Sequence, residues 1–194
     1  MTEYIRCPWP RDDRLYCVYH DEEWGVPEFD SRSLWEKLVL DGFQAGLSWI
    51  TILRKREALR AAFAGFDPEK VARFDDADVA RLMNDAGIIR SNAKIAAAID
   101  SARITLRLRD AGIDFTDLIW QVQDRRPRIN HFAAGEIPTE TKTSQELAKL
   151  LKSKGYKFCG PVITYAFMQA VGMVNDHLVT CFRHAEVAEM MKSA

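Results

Sequence analysis

"LMNDAGIIRSNAKIAAAI", residues 82–99, is the stretch whose reading decides the fold. Leu82 and Met83 close one amphipathic run, Gly87 interrupts it, and Ser91 stands at a cap position ahead of an Ala- and Ile-rich run. The spacing predicts helix, short hairpin, helix over 79–99. In such a unit the backbone N–H groups of the hairpin and of the second helix's first turn point outward. They can hold a DNA phosphate without reading base sequence. Gly87 would shape the hairpin, and Lys94, one turn into the second helix, would add a positive charge. A plain turn between two bundle helices gives the same pattern, and Ile89 stands where a second glycine would strengthen the motif.

Working outward, helix signals are dense and strand signals poor. Asp30 or Ser31 can cap a helix with Leu34, Trp35, Leu38 and Val39 on one stripe. Ser48 can cap the next, which buries Ile52, Leu53, Leu59 and Phe63. Asp67 followed by Pro68 is a start signal, since proline suits the first helical position. Thr143 and Glu146 have capping-box spacing, and Gly155 stops that helix. Pro161 opens an apolar helix that ends near Gly172. The chain therefore reads as all-α, a single domain over 1–194 in two helical lobes.

Composition bounds the function. The 194 residues are 47% hydrophobic and 28% charged, ordinary for a globular protein. The charge-interrupted N-terminus does not read as a signal peptide, and no apolar run approaches a membrane span, so a cytoplasmic location is expected. The net charge of −1 gives no global attraction to nucleic acid, but its distribution is uneven. Residues 81–109 carry six bases against two acids, and "KLLKSKGYK" (149–157) has four lysines and no acid. Such a face suits a phosphate backbone, or is simply a solvated helix surface.

Four cysteines in a chain expected to be cytosolic do not suggest disulfides. Cys7 and His20 lie near one end, His177 and Cys181 near the other. "HLVTC" on a helix would project His177 and Cys181 from one face. Two thiolates and two imidazoles suit tetrahedral Zn²⁺ in a closed, structural site tying the chain ends together. Two buried cysteines and two unrelated histidines are the alternative. Cys17 and Cys159 read as buried thiols, His131 and His184 as surface residues. "LDGFQAGLSW" (40–49) sets Asp41 beside Phe43, Leu47 and Trp49 at what reads as a turn between helices, with Gly42 and Gly46 to bend it.

Four segments in order, "YHDEEWGVPEFDS", "AGLSWITILRKRE", "DAGIIRSNAKI" and "FMQAVGMVNDH", resemble the bacterial 3-methyladenine DNA glycosylase I family, from Cys7 to Cys181. The resemblance implies a helix-hairpin-helix glycosylase fold that flips N3-methyladenine out of alkylated double-stranded DNA and hydrolyses its glycosidic bond, releasing free 3-methyladenine. It implies structural zinc on Cys7, His20, His177 and Cys181. It implies a base pocket on Tyr19 and Trp49, with Trp9, Tyr16 and Trp24 as further walls. The family pattern has glutamate at the pocket carboxylate and this chain has Asp41, one methylene shorter. Asp41 is expected to recognise the base and stabilise its charge, with any acid–base role secondary. Gly46 would let the backbone approach DNA, and Leu47 would enter the vacated space as a wedge or else pack as a core leucine. A monomer is expected, with no membrane partner. The competing reading is a zinc-clasped module that binds alkylated DNA without cleaving it, favoured only by the Glu-to-Asp change.

Overall fold

The computed structural model describes residues 4–193. The central helix, α2 (Ser31–Gln44), starts where Asp30 accepts the Ser33 N–H at 2.8 Å. Its buried side chains run from Leu34 and Trp35 to Phe43, because neighbours cover it on several sides. These are α3 (Trp49–Ala62), α6 (Asn92–Asp110), α7 (Phe115–Trp120) and α9 (Pro161–Ala170). The short α1 (Arg14–Glu22) packs on α3, and α8 (Lys142–Lys154) packs on α9. Two more short helices, α4 (Pro68–Val71) and α5 (Asp76–Asn84), pack on α6, and α10 (Phe182–Lys192) closes the chain.

Capping chemistry explains most helix starts. Asp67 accepts the Glu69 N–H ahead of Pro68, and Ser91 accepts the Lys94 N–H ahead of α6. The structure differs from expectation at α8, where the capping box is Thr141 with Ser144 and not Thr143 with Glu146. Ser48 occupies the cap position of α3, but its hydroxyl bonds Thr51 Oγ1 at 2.8 Å. Gly155 ends α8 in the left-handed region at φ +100°. Gly172 has φ +66°, and a Cβ there would lie 2.4 Å from the Pro27 nitrogen.

Two departures from an all-helical reading bear on the site. Two-residue strands β1 (Arg128–Ile129) and β2 (Val174–Asn175) pair in parallel, with Arg128 opposite Val174. Residues 177–181 form a turn ahead of α10, not a helix. Cys181 is the N-cap residue of α10, and its N–H donates to Leu178 O at 2.8 Å. Among the described residues no helix is long and apolar enough to cross a membrane.

The α5–α6 junction is a tight hairpin. A Cβ at Gly87 would crowd Asp85 Oδ1 at 2.9 Å and Ala58 at 3.1 Å. Lys55 of α3 donates to the carbonyls of Ala86 and Gly87, both at 3.0 Å. Lys94 of α6 donates to Phe43 O at 2.8 Å and Ala45 O at 2.7 Å, satisfying carbonyls left over at the end of α2. Two half-buried lysines thus fix the hairpin to the helices that carry Asp41 and Trp49.

Candidate functional site

Several segments converge on one cavity. The first turn of the described chain brings Trp9, α1 brings Tyr16 and Tyr19 one turn apart, and the α1–α2 connection brings Trp24. Asp41 comes from the last turns of α2, within the helix and not in the turn after it, and Trp49 opens α3. These six side chains line a cavity of about 230 Å³ together with Lys37, Gln44 and Gln169. The rings brace one another. Trp9 lies 4.6 Å from Tyr16 and 5.2 Å from Trp24, both edge-on, and Tyr19 lies 5.4 Å from Trp49. A volume of this size suits one flat heteroaromatic ring.

Asp41 is only 1% exposed. Its Oδ1 accepts from Lys37 Nζ at 2.5 Å, while its buried Oδ2 has no hydrogen-bond partner among the described residues. The indole nitrogens of Trp9 and Trp49 are likewise buried without acceptors. Native proteins rarely leave such groups unpaired, so three around one cavity mark a place for a ligand. Burial pushes the Asp41 carboxyl above its ordinary range against the attraction of Lys37, and burial pushes the Lys37 ammonium below its own. Burial also holds the Tyr19 phenol protonated, its pKa well above the usual value. Lys37 was missing from the sequence reading. Its only signal is the four-residue spacing to Asp41, which ordinarily marks a surface ion pair.

The residues expected to face DNA are divided. Gly46 has φ +80° in the turn between α2 and α3, and beside it Leu47 is 41% exposed, outside the packed core. Gly87 turns its N–H inward to Asp85 Oδ1 at 2.7 Å. Lys94 is engaged with the α2 carbonyls described above. Intrahelical bonding in α6 starts with the Ile95 N–H to Ser91 O, so the N–H groups of Asn92 and Ala93 have no partner within the helix. Arg81 pairs with Asp78 and bonds Ala62 O, Arg103 bonds the Ala72 and Phe74 carbonyls between α4 and α5, and Arg109 pairs with Glu69, whereas Arg90 is exposed at the hairpin.

Behind the aromatic wall, Cys7, His20, His177 and Cys181 are all buried, with one potential ligand atom from each within 4.8 Å of the others. Cys181 Sγ lies 3.5 Å from His20 Nε2 and 3.7 Å from His177 Nδ1, and Cys7 Sγ lies 3.7 Å from His177 Nδ1. A tetrahedral zinc with ordinary Zn–S and Zn–N bonds sets sulfur and nitrogen about 3.6 Å apart. The outer partners fix both tautomers. Asp21 can only accept, so His20 Nδ1 carries its hydrogen at 2.8 Å; the Trp24 carbonyl can only accept, so His177 Nε2 carries its own at 2.9 Å. Each imidazole therefore turns its free lone pair to the centre. The thiols are biased in opposite directions. The neighbouring Cys7, His177 and His20 lower the Cys181 pKa, while the nearby Cys181 and burial raise that of Cys7. The four side chains fit a metal ion. The second cysteine pair splits: Cys159 is buried, but Cys17 is partly exposed and donates to Arg11 O.

The fold is mostly helical, and its site is an aromatic cavity that ends on a buried carboxylate. Comparison with known proteins narrows the class. A family model for methyladenine glycosylases matches residues 9–184. The chain is 51% identical over 177 residues to DNA-3-methyladenine glycosylase 1 of Escherichia coli strain K12, covering 91% of this chain and 95% of that one. It superposes on a crystal structure of 3-methyladenine DNA glycosylase I with a TM-score of 0.90 at 50% identity, covering 92% and 98% of the two chains. A variant of 3-methyladenine DNA glycosylase I in complex with 3-methyladenine gives a TM-score of 0.87 at 36% identity, covering 91% and 96%. The chain belongs to the methyladenine glycosylase family.

Proposed function

We infer that the protein is a base-excision repair glycosylase that removes N3-methyladenine from alkylated double-stranded DNA and releases the free base. The observation that carries this reading is the buried, unpartnered Oδ2 of Asp41 at the edge of the five-ring cavity. The target base is out of reach inside a duplex, so it must be turned out of the stack, at a cost of a few kcal/mol. On the sugar, N3-methyladenine is a permanent cation. Tyr19 and Trp49 attract that charge through their ring faces, by roughly 0.5–2 kcal/mol beyond stacking. Asp41 accepts a hydrogen bond from the exocyclic amino group and opposes the charge; neutral adenine gains much less, and discrimination is that difference. Trp9, Tyr16 and Trp24 hold the two leading rings upright and exclude water.

The positive base is a good leaving group, so orientation and charge stabilisation account for most of the rate. A dedicated base is not evident, since buried Asp176 is committed to Asn130, Tyr165 and Gln169. Leu47 is the wedge that fills the vacated stack, on a turn that Gly46 permits. The α5–α6 hairpin holds a phosphate through the first-turn N–H groups of α6 and Arg90, while Gly87 and Lys94 shape and anchor it. Zn²⁺ on Cys7, His20, His177 and Cys181 is structural, because four protein ligands leave no open position. One chain carries every pocket wall, so the protein acts as a monomer on cytoplasmic DNA. The test is base release from methylated duplex DNA. Free 3-methyladenine is expected and unmodified adenine is not; binding without release at high enzyme concentration would refute the assignment.

A further inference from the structure

The ammonium of Lys37 sits on the two features of the pocket that suit a cationic base. It lies 2.5 Å from Asp41 Oδ1 and 3.9 Å from the centroid of the Trp49 ring, with its side chain only 15% exposed. At that distance it covers the ring face on which a purine would stack. A second cavity, of about 310 Å³, adjoins the first, and Lys37 and Tyr19 line both. Its walls carry Glu22, Glu23, Glu28 and Glu36 against Arg56 and Arg60, which pair with Glu23 and Glu36, so carboxylates outnumber cations there.

We propose that Lys37 is a tethered competitor for the base: its ammonium occupies the cation subsite of the pocket and is displaced into the adjoining carboxylate-lined cavity when a cationic base binds. This inference rests on the base-pocket reading above. Exchanging one cation for another means that Asp41, buried as it is, is never left as an unpaired charge. It also lowers apparent affinity, since a base binds only the fraction of molecules whose subsite is vacant. The same competition expels the product after cleavage, where release of a tightly held base would limit turnover. The shorter arm of Asp41 leaves room for a lysine one helical turn earlier in α2.

The experiment measures binding of the permanent cation 3,9-dimethyladeninium to the wild-type chain and to Lys37→Met, Lys37→Gln and Lys37→Arg, by titration calorimetry on protein shown to be folded by circular dichroism. Lys37→Met and Lys37→Gln are expected to bind about tenfold tighter than wild type, equivalent to roughly 1.4 kcal/mol. Lys37→Arg, still cationic, is expected to stay near wild type. A gain in affinity cannot come from a damaged fold, and the glutamine variant serves if the methionine variant does not fold. Equal or weaker binding by the neutral variants overturns the competitor, as does tightening in Lys37→Arg equal to that in Lys37→Met. If the wild-type chain and every folded variant fail to bind the cation, the base-pocket reading itself falls, and the competitor with it.

Discussion

Replacing Asp41 by Asn isolates charge from shape. The amide has the volume of the carboxylate, so the cavity and its five rings are retained. The change removes the negative charge 2.5 Å from Lys37 Nζ and puts a neutral amide at the partnerless Oδ2 position. A hydrogen bond to a charged group contributes about 1.5–3 kcal/mol net, and each 1.36 kcal/mol at the transition state is tenfold in rate. Asp41→Asn should therefore slow single-turnover release of 3-methyladenine by roughly 10–150-fold. Stability should fall less than the roughly 3–5 kcal/mol usual when one partner of a buried ion pair is removed. Burial already pushes the Lys37 pKa down, so this ammonium can shed its proton when Asp41 no longer holds it. The assay is release from alkylated duplex DNA with enzyme in excess, alongside a thermal melt. Wild-type release by a folded Asp41→Asn protein would refute the electrostatic reasoning, whatever else the pocket binds.

Other perturbations separate the remaining roles. Leu47→Ala should leave the melting temperature nearly unchanged, because exposed positions shift stability by only about 0.5 kcal/mol; it should slow release from duplex DNA while leaving affinity for a free cationic base intact, and a parallel loss of both would remove the wedge. Gly172→Ala puts a Cβ 2.4 Å from the Pro27 nitrogen at φ +66°, so the α9–β2 corner must move and the melting temperature must drop; an unchanged melt would contradict that packing. Asp21→Asn weakens the acceptor that orients His20, and zinc affinity should fall about 10–100-fold in a chelator competition. Cys181→Ser removes a ligand outright, and a purified variant with full zinc content would strike it from the set.

Where the sequence was informative, the chemistry was local. Asp30, Asp67, Ser91 and Gly155 announce helix ends because a cap needs only its own few residues. The aromatic side chains and the cysteine–histidine set were legible through the resemblance, and the structure brings them to one cavity and one cluster. What stayed hidden depends on distant contacts. Lys37 reads as a surface charge until α3 lays Trp49 over it. Lys94 reads as a phosphate ligand until the end of α2 offers it two carbonyls. The pairing of β1 with β2 spans some 46 residues and has two residues a side, too few for a periodic pattern.

The turn at 177–181 shows why the cysteine–histidine cluster and the pocket are one device. α1 offers Tyr16 and Tyr19 to the cavity and the next residue, His20, to the cluster. The Trp24 carbonyl takes the Nε2 hydrogen of His177, while its ring lies 4.6 Å from that imidazole and 5.2 Å from Trp9. A Cβ on Gly25 would lie 3.2 Å from the same His177 ring. The pocket's back wall therefore stands directly on the ligand side chains, and whatever fixes the imidazoles fixes the indoles. Removing zinc with a chelator at temperatures well below the melt should then weaken binding of a cationic base before the helices unfold. Tryptophan fluorescence would follow the pocket and far-ultraviolet circular dichroism the fold. If base affinity and helicity are lost together at a single chelator concentration, the clasp secures the chain ends alone and the wall needs no metal to stand.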